Sequence, residues 1–162
     1  MQDSAETATG VYQQLGVGRV INGISWVTSL GGSVMPDAVV EAMVGASHMH
    51  VKLDELNAKA GEEIARLTGA EAGLVTAGAS AGMLLQAAAV IAGGDPGKVR
   101  SLPDTTGMKN EIVIHRAHRV GEDRNYLTAG AKFVEIGNSA MAHEWELEAA
   151  ITDNTAAVAY VF

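Results

Sequence analysis

Leu53, Leu56, Ala60, Ile64 and Leu67 recur at the spacing of one helical face, with Glu55, Lys59, Glu62, Glu63 and Arg66 on the others. The pattern predicts an amphipathic helix over this stretch, stopped by Gly69, a residue suited to the left-handed position past a helix end. Upstream, an extended piece is predicted from Arg19 through Trp26-Val27, then a break at Leu30-Gly31-Gly32-Ser33. Pro36 suits the first turn of a helix running from Asp37 to about Val44 and stopping near Gly45. Downstream the period alternates between strand and helix. Ala72–Ala77 reads as a short apolar strand. Ser80–Ala92 is apolar almost all round, which predicts a buried helix. Gly93-Gly94-Asp95-Pro96-Gly97 is a turn cluster, and a loop follows from Leu102 to Asn110. Glu111–His115 is a second strand, a polar helical stretch near Gly121–Ala129 ends at Gly130, and Lys132–Ile136 is a third strand. A helix over His143–Ile151, with Leu147, Ala150 and Ile151 inward, leads to a fourth strand, Ala156–Phe162. Short strands separated by helical segments predict βαβ units and an α/β fold: a mainly parallel sheet in a three-layer αβα sandwich.

The strand 72–77 runs into Gly78-Ala79-Ser80-Ala81-Gly82. A helix that starts there exposes unpaired N–H groups and the positive end of its dipole to an anion. Ser80 is suited to capping that helix and to donating its hydroxyl. The same letters spell G-x-S-x-G, the nucleophile elbow of a serine hydrolase. A strand-to-helix turn that merely permits close packing is the third reading, and the local pattern leaves all three open. The elbow requires an acid and then a histidine; Asp104 followed by His115 or His118 satisfies that order.

Composition narrows the classes. The chain has 162 residues, no cysteine and a net charge of −8. Its length suits one domain, the missing thiols exclude disulfides and thiolate metal sites, and the acidity argues against a nucleic-acid surface. With no apolar run long enough to span a bilayer and no leader pattern, a cytoplasmic location is expected. His48-Met49-His50, and His115 with His118, lack the acidic company of a metal site, so no metal is assigned. Arg116, Arg119 and Arg124 alternate with Glu122 and Asp123, which predicts an ion-paired surface rather than a phosphate patch. Gly97-Lys98-Val99 departs from the Walker A pattern, and no G-x-G-x-x-G follows a strand. The apolar strand at the end of the chain leads to the expectation that these residues are the first part of a longer fold.

Asn22, Gly31-Gly32, Leu67-Thr68-Gly69-Ala70-Glu71-Ala72, the Gly78–Gly82 turn and Ala129-Gly130-Ala131-Lys132 follow one another in a familiar order. Over residues 11 to 162 the chain resembles the selenocysteine synthase-like group of pyridoxal 5′-phosphate (PLP) enzymes, within the aspartate-aminotransferase-like superfamily (fold type I). The run Leu102-Pro103-Asp104-Thr105-Thr106-Gly107-Met108-Lys109-Asn110-Glu111 resembles the branch that contains D-glucosaminate-6-phosphate ammonia-lyase. The resemblance implies a tail at 1–10, an N-terminal arm and first helix at 11–50, and at 51–162 the first part of the PLP-binding large domain. It implies PLP as cofactor, with Gly78, Ala79 and Ser80 as phosphate cup and His118 stacked on the pyridine ring, His115 being its alternate. Asn22 and Ser33 would lie near the substrate entrance. It further implies a lyase or transferase acting by β-elimination on an amino acid or amino sugar acid, working as a homo-oligomer. The lysine that forms the Schiff base would lie beyond this chain, since none of Lys52, Lys59, Lys98, Lys109 or Lys132 has a matching context; the chain alone is then expected to be inactive. A serine hydrolase using Ser80, or a non-catalytic degenerate copy serving as an interaction module, are the alternatives.

Overall fold

Three parallel strands, β1 (Glu111–His115), β2 (Lys132–Ile136) and β3 (Thr155–Ala159), pair in the order β2-β1-β3 in a computed structural model that describes residues 10–161. The central strand is covered on both faces, and Ile112, Val113 and Ile114 are at most 2% exposed. That explains its unbroken apolar run, because a parallel strand between two layers has no solvent face. Each of these side chains contributes about 1.5–3 kcal/mol by leaving water. β1 and β2 have the bounds that the sequence predicts. β3 ends at Ala159, so the apolar run expected through Phe162 is strand only in its first part; Phe162 itself lies outside the described residues.

The chain divides into two units, one up to Lys52 and one from Leu53. In the first, residues 10–14 are helical (α1), and the extended piece expected through Val27 is irregular apart from one bridge between Val27 and Gly32 across the turn Thr28–Leu30. α2 (Asp37–Ala46) follows, with Pro36 immediately before it as N-cap. Of the tail expected at 1–10, residues 1–9 lie outside the described residues and Gly10 opens α1.

In the second unit the amphipathic helix α3 spans Leu53–Thr68, and Gly69 follows at φ +74° as the pattern requires. α4 (Ala79–Ala92) packs on β3 and on the short helix α6 (Arg124–Thr128). Its near-uniform apolarity overstated its burial: Ala87, Ile91 and Ala92 are buried, whereas Leu85 and Val90 are more than 40% exposed. The predicted turn at 93–97 is half turn and half helix. Gly93-Gly94 turns the chain, and Asp95 then caps α5 (Pro96–Ser101) by accepting from the N–H groups of Gly97 and Lys98. Asp-Pro is an N-cap followed by a proline at N1, a start signal as well as a turn signal. α7 (Glu144–Ala150) half-buries Leu147 and Ala150 but leaves Ile151 exposed, against expectation. The core cluster joins Ala87 and Ile91 of α4 to Ile112, Ala129 and Ala131.

Residues 72–77 form no strand among the described residues. The segment is irregular and lies on α3, where Gly61 and Gly73 meet backbone to backbone: a Cβ on Gly61 would come 2.2 Å from the Gly73 carbonyl oxygen. Its backbone pairs with the side chain of Asn57 in place of a ladder.

Candidate functional site

The turn at Gly78 is built from behind. Asn57 on α3 donates from Nδ2 to the Val75 carbonyl and accepts the Val75 N–H at Oδ1. The Thr76 hydroxyl donates to the Gly78 carbonyl at 2.9 Å, closing the turn on itself. Gly78 stands at φ +127°, ψ 172°, a conformation open to a residue without Cβ, and caps α4, whose first helical bond runs from the Gly82 N–H to the Gly78 carbonyl. This corrects the expectation for Ser80: it lies one residue inside the helix, caps nothing, and its hydroxyl has no partner among the described residues. Residues 77–80 are exposed, and no acidic residue lies in the first turn of α4. The N–H groups of Ala79, Ser80 and Ala81 therefore converge without an intrahelical acceptor at the positive end of a 14-residue helix. That donor set suits a phosphate dianion, and a Cβ at Gly78 would meet nothing within 4 Å, so the approach to it is open.

His118 lies past the C-terminal end of β1, in the turn Arg116–His118. Two arginines pin this turn to β2: Arg116 meets Glu135 at 3.1 Å, and Arg119 pairs with both Glu135 and Asp123. The Arg119 guanidinium also lies 4.3 Å from the centroid of Phe133. Asp123 is 3% exposed, and its hydrogen bond from Arg119 holds its carboxyl below the usual carboxylate range, while the same bond raises Arg119. The ion pairing expected of the arginines is thus found for two of them, aimed at a strand. The His118 ring meets that of His115 edge to face, with centroids 5.1 Å apart and planes at 75°, and its Nδ1 accepts the Val161 N–H at 3.5 Å.

The sequence-predicted residues fall into three places. Gly78, Ala79 and Ser80 share the start of α4; His118 and His115 share the C-terminal edge of the sheet; Asn22 and Ser33 belong to the first unit. No hydrogen bond or ring contact links these groups among the described residues. Asn22 spends its amide locally, accepting from the Ile24 N–H at 2.9 Å and donating to the Ser25 carbonyl, which holds Ser25 at φ +79°. Ser33 is exposed. Open α/β sheets bind ligands at the carboxyl ends of their strands, which is the His115–His118 edge. Lys109 and Lys132 lie at the opposite edge, and Lys59 is paired with Glu62. Asp104 is at that opposite edge too, bonded to the N–H and hydroxyl of Thr106 and lining a cleft with Glu111, Lys132 and Asn154. A five-residue strand, about 13 Å from first to last Cα, separates it from the His115 end, so the Ser80-His-Asp104 arrangement is not assembled. Among the described residues no group of three or more His, Asp or Glu side chains gathers to hold a metal.

Sequence reasoning missed Asn57, Thr76 and Gly137. Asn57 reads as one more polar residue on an exposed helix face, and its partner is 18 residues away. Thr76 had a local signal: a hydroxyl two residues before a glycine is placed to close a turn. Gly137, at φ +70°, leaves room for His115, and nothing near it in sequence announces that.

No family model matches the chain. Over 155 residues it is 41% identical to a D-glucosaminate-6-phosphate ammonia lyase of Salmonella typhimurium (strain 14028s / SGSC 2262), covering 93% of this chain and 42% of that protein. It is 36% identical to a 5'-C-glycyluridine monooxygenase-decarboxylase of Streptomyces sp, covering 93% of this chain and 39% of that protein. A solved structure of D-glucosaminate-6-phosphate ammonia-lyase matches the fold with a TM-score of 0.88 at 40% identity, over 91% of this chain and 41% of that one. The chain spans about two fifths of the length of the curated relatives it matches. It is an α/β chain with a parallel sheet, homologous over that span to D-glucosaminate-6-phosphate ammonia-lyase.

Proposed function

We propose that this chain is the phosphate- and ring-holding part of a PLP-dependent lyase that acts on an amino sugar acid or amino acid by β-elimination. The observation that carries the reading is the turn at Gly78: three helix-start N–H groups and a Ser80 hydroxyl uncommitted among the described residues, open to solvent and with no acidic residue in the first turn of α4. The substrate named for the ammonia-lyase relative supports a phosphorylated amino sugar acid as the substrate class. In this reading the N–H groups of Ala79 and Ser80 and the Ser80 hydroxyl take the cofactor's phosphate, Gly78 admits it, and Thr76 keeps the turn closed behind it. His118, on a turn pinned by Arg116 and Arg119, places the flat face of its imidazole against the pyridine ring. Asn22 and Ser33 are assigned to substrate binding in the same reading. Bound PLP supplies the electron sink that stabilises negative charge at the substrate Cα. None of Lys59, Lys98, Lys109 or Lys132 is hydrogen-bonded to the turn or to His118 among the described residues, so in this reading the chain alone binds but does not turn over. Self-association and a cytoplasmic location belong to the same reading; among the described residues no helix is long and apolar enough to cross a membrane.

Calorimetry with pyridoxine 5′-phosphate, which has no aldehyde and needs no lysine, tests the reading. The phosphorylated ligand binds and pyridoxine does not, and Ser80→Ala weakens binding by about 10-fold, the loss of one charge-assisted hydrogen bond. Equal affinity for the two ligands overturns it. Labelling of Ser80 by a serine-directed phosphonate establishes the hydrolase instead.

A further inference from the structure

His115 closes β1 with a feature that packing does not account for. Its Nε2 is buried and has no hydrogen-bond partner among the described residues. An apolar ring would fill the same space without leaving a buried nitrogen unpaired, so an imidazole here calls for another explanation. The ring is held from the β2 side: a Cβ on Gly137 would lie 2.6 Å from His115 Cδ2, 2.5 Å from the Met141 carbonyl oxygen and 2.7 Å from the Ala142 Cβ. The loop after β2 therefore closes on His115 as tightly as glycine permits. The free side of this clamped ring meets His118 edge to face at 5.1 Å.

We propose that His115 is a positioning residue that sets the ring plane and the tautomer of His118. A histidine side chain has two torsions to fix. The backbone of His118 is anchored by Arg116 and Arg119, which flank it and both bind Glu135. Its Nδ1 accepts from the Val161 N–H, which places the proton of the neutral ring on Nε2. That bond alone, at 3.5 Å, leaves the ring free to rock. The steeply inclined ring of His115 removes this freedom, because an edge-to-face pair loses its favourable contact when either plane turns. One face of His118 is thereby presented at the carboxyl edge of the sheet in a single orientation. The proposal rests on His118 being the residue that faces the cofactor ring, and it assigns the unexplained histidine next to it to the same site.

The test is ¹⁵N NMR of the histidine side chains in the full 162-residue chain, without ligand, for the native chain, His115→Ala, His115→Phe and Gly137→Ala. The native chain shows His118 as one tautomer protonated at Nε2. His115→Ala and Gly137→Ala, which remove or displace the clamped ring, give the averaged shifts of a free imidazole, while His115→Phe keeps a ring edge and preserves the single tautomer. In a second step, affinity for pyridoxine 5′-phosphate falls at least 5-fold in His115→Ala, and the bound ³¹P shift stays unchanged because the phosphate turn is intact. If ligand binds but His118 keeps its tautomer in both His115→Ala and Gly137→Ala, the positioning role is overturned and the cofactor reading stands. If the tautomer follows His115 but no ligand binds, the positioning role stands and the cofactor reading falls. Should His115→Ala fail to fold, the contrast between Gly137→Ala and His115→Phe decides the same question.

Discussion

Asn57 holds both backbone groups of Val75, Nδ2 to the carbonyl and Oδ1 to the N–H, each at 3.3 Å. An irregular, apolar segment thus has its polar backbone partly satisfied by one side chain of the preceding helix, where a neighbouring strand would otherwise serve. Asn57→Ala is expected to cost about 0.5–1 kcal/mol, at the low end for a hydrogen-bonded pair because the site is exposed. Asn57→Asp keeps the acceptor, loses the donor and falls between. Hydrogen exchange at the Val75 amide reads the change directly: its protection drops with Asn57→Ala and survives Asn57→Asp.

The same segment is seated by the contact of Gly61 with Gly73. A methyl group at Gly61 would sit 2.2 Å from a backbone oxygen, with no flexible side chain to move aside. Gly61→Ala is therefore expected to destabilise by about 1–3 kcal/mol, the usual range for an overpacked contact, although alanine favours helices. Urea unfolding of Gly61→Ala against the neighbouring control Ala60→Gly separates the two effects.

Thr76→Val keeps the shape of the side chain and removes the hydroxyl that donates to the Gly78 carbonyl. The expected outcome is a loss of roughly 3- to 10-fold in affinity for pyridoxine 5′-phosphate, the equivalent of one hydrogen bond, with little change in melting temperature. Thr76→Ser restores binding.

Asp123 gives the fold a dependence on acid. Its carboxyl titrates lower in the folded chain than in the unfolded one, chiefly through the hydrogen bond from Arg119. Its contribution is present above the unfolded value, about 3.9, and is lost as pH falls through the lower folded value. Asp123→Asn is expected to lower stability at neutral pH and to flatten the decline in acid. Thermal melts of both proteins between neutral pH and pH 3 show the gap between them closing as the native carboxylate is protonated.

Local pattern carried much of the fold. β1 was legible to the residue, because a strand buried on both faces must be apolar without interruption and is bounded by polar residues. β2, an edge strand, was legible from Phe133, Val134 and Ile136 set beside exposed Lys132 and Glu135. α3 was legible because its apolar residues repeat every three to four positions and Gly69 marks its stop, although Leu53, Leu56 and Leu67 of that stripe are more than half exposed. Residues 72–77 have the same apolar look as β1 and form no ladder. Strand pairing needs a partner edge, and what lies alongside is α3, through Gly61, Gly73 and Asn57. Ser80 shows the same limit at smaller scale. A serine two residues after a glycine is chemically able to cap, but the backbone at Gly78 starts the helix earlier and leaves the hydroxyl to point elsewhere.

The order of residues by itself determined the α/β alternation, the bounds of β1 and β2, the glycine turn before α4 and the types of side chain available there, since each depends on neighbours within a few positions. Tertiary structure decided which of them meet. It brought Glu135 to Arg116 and Arg119, Val161 to His118, and Gly137 to His115, and it put Asp104 at the far edge from the histidines it would have needed. Those contacts join positions some 16 to 43 residues apart, and distance along a chain carries no information about distance in space until the sheet has formed.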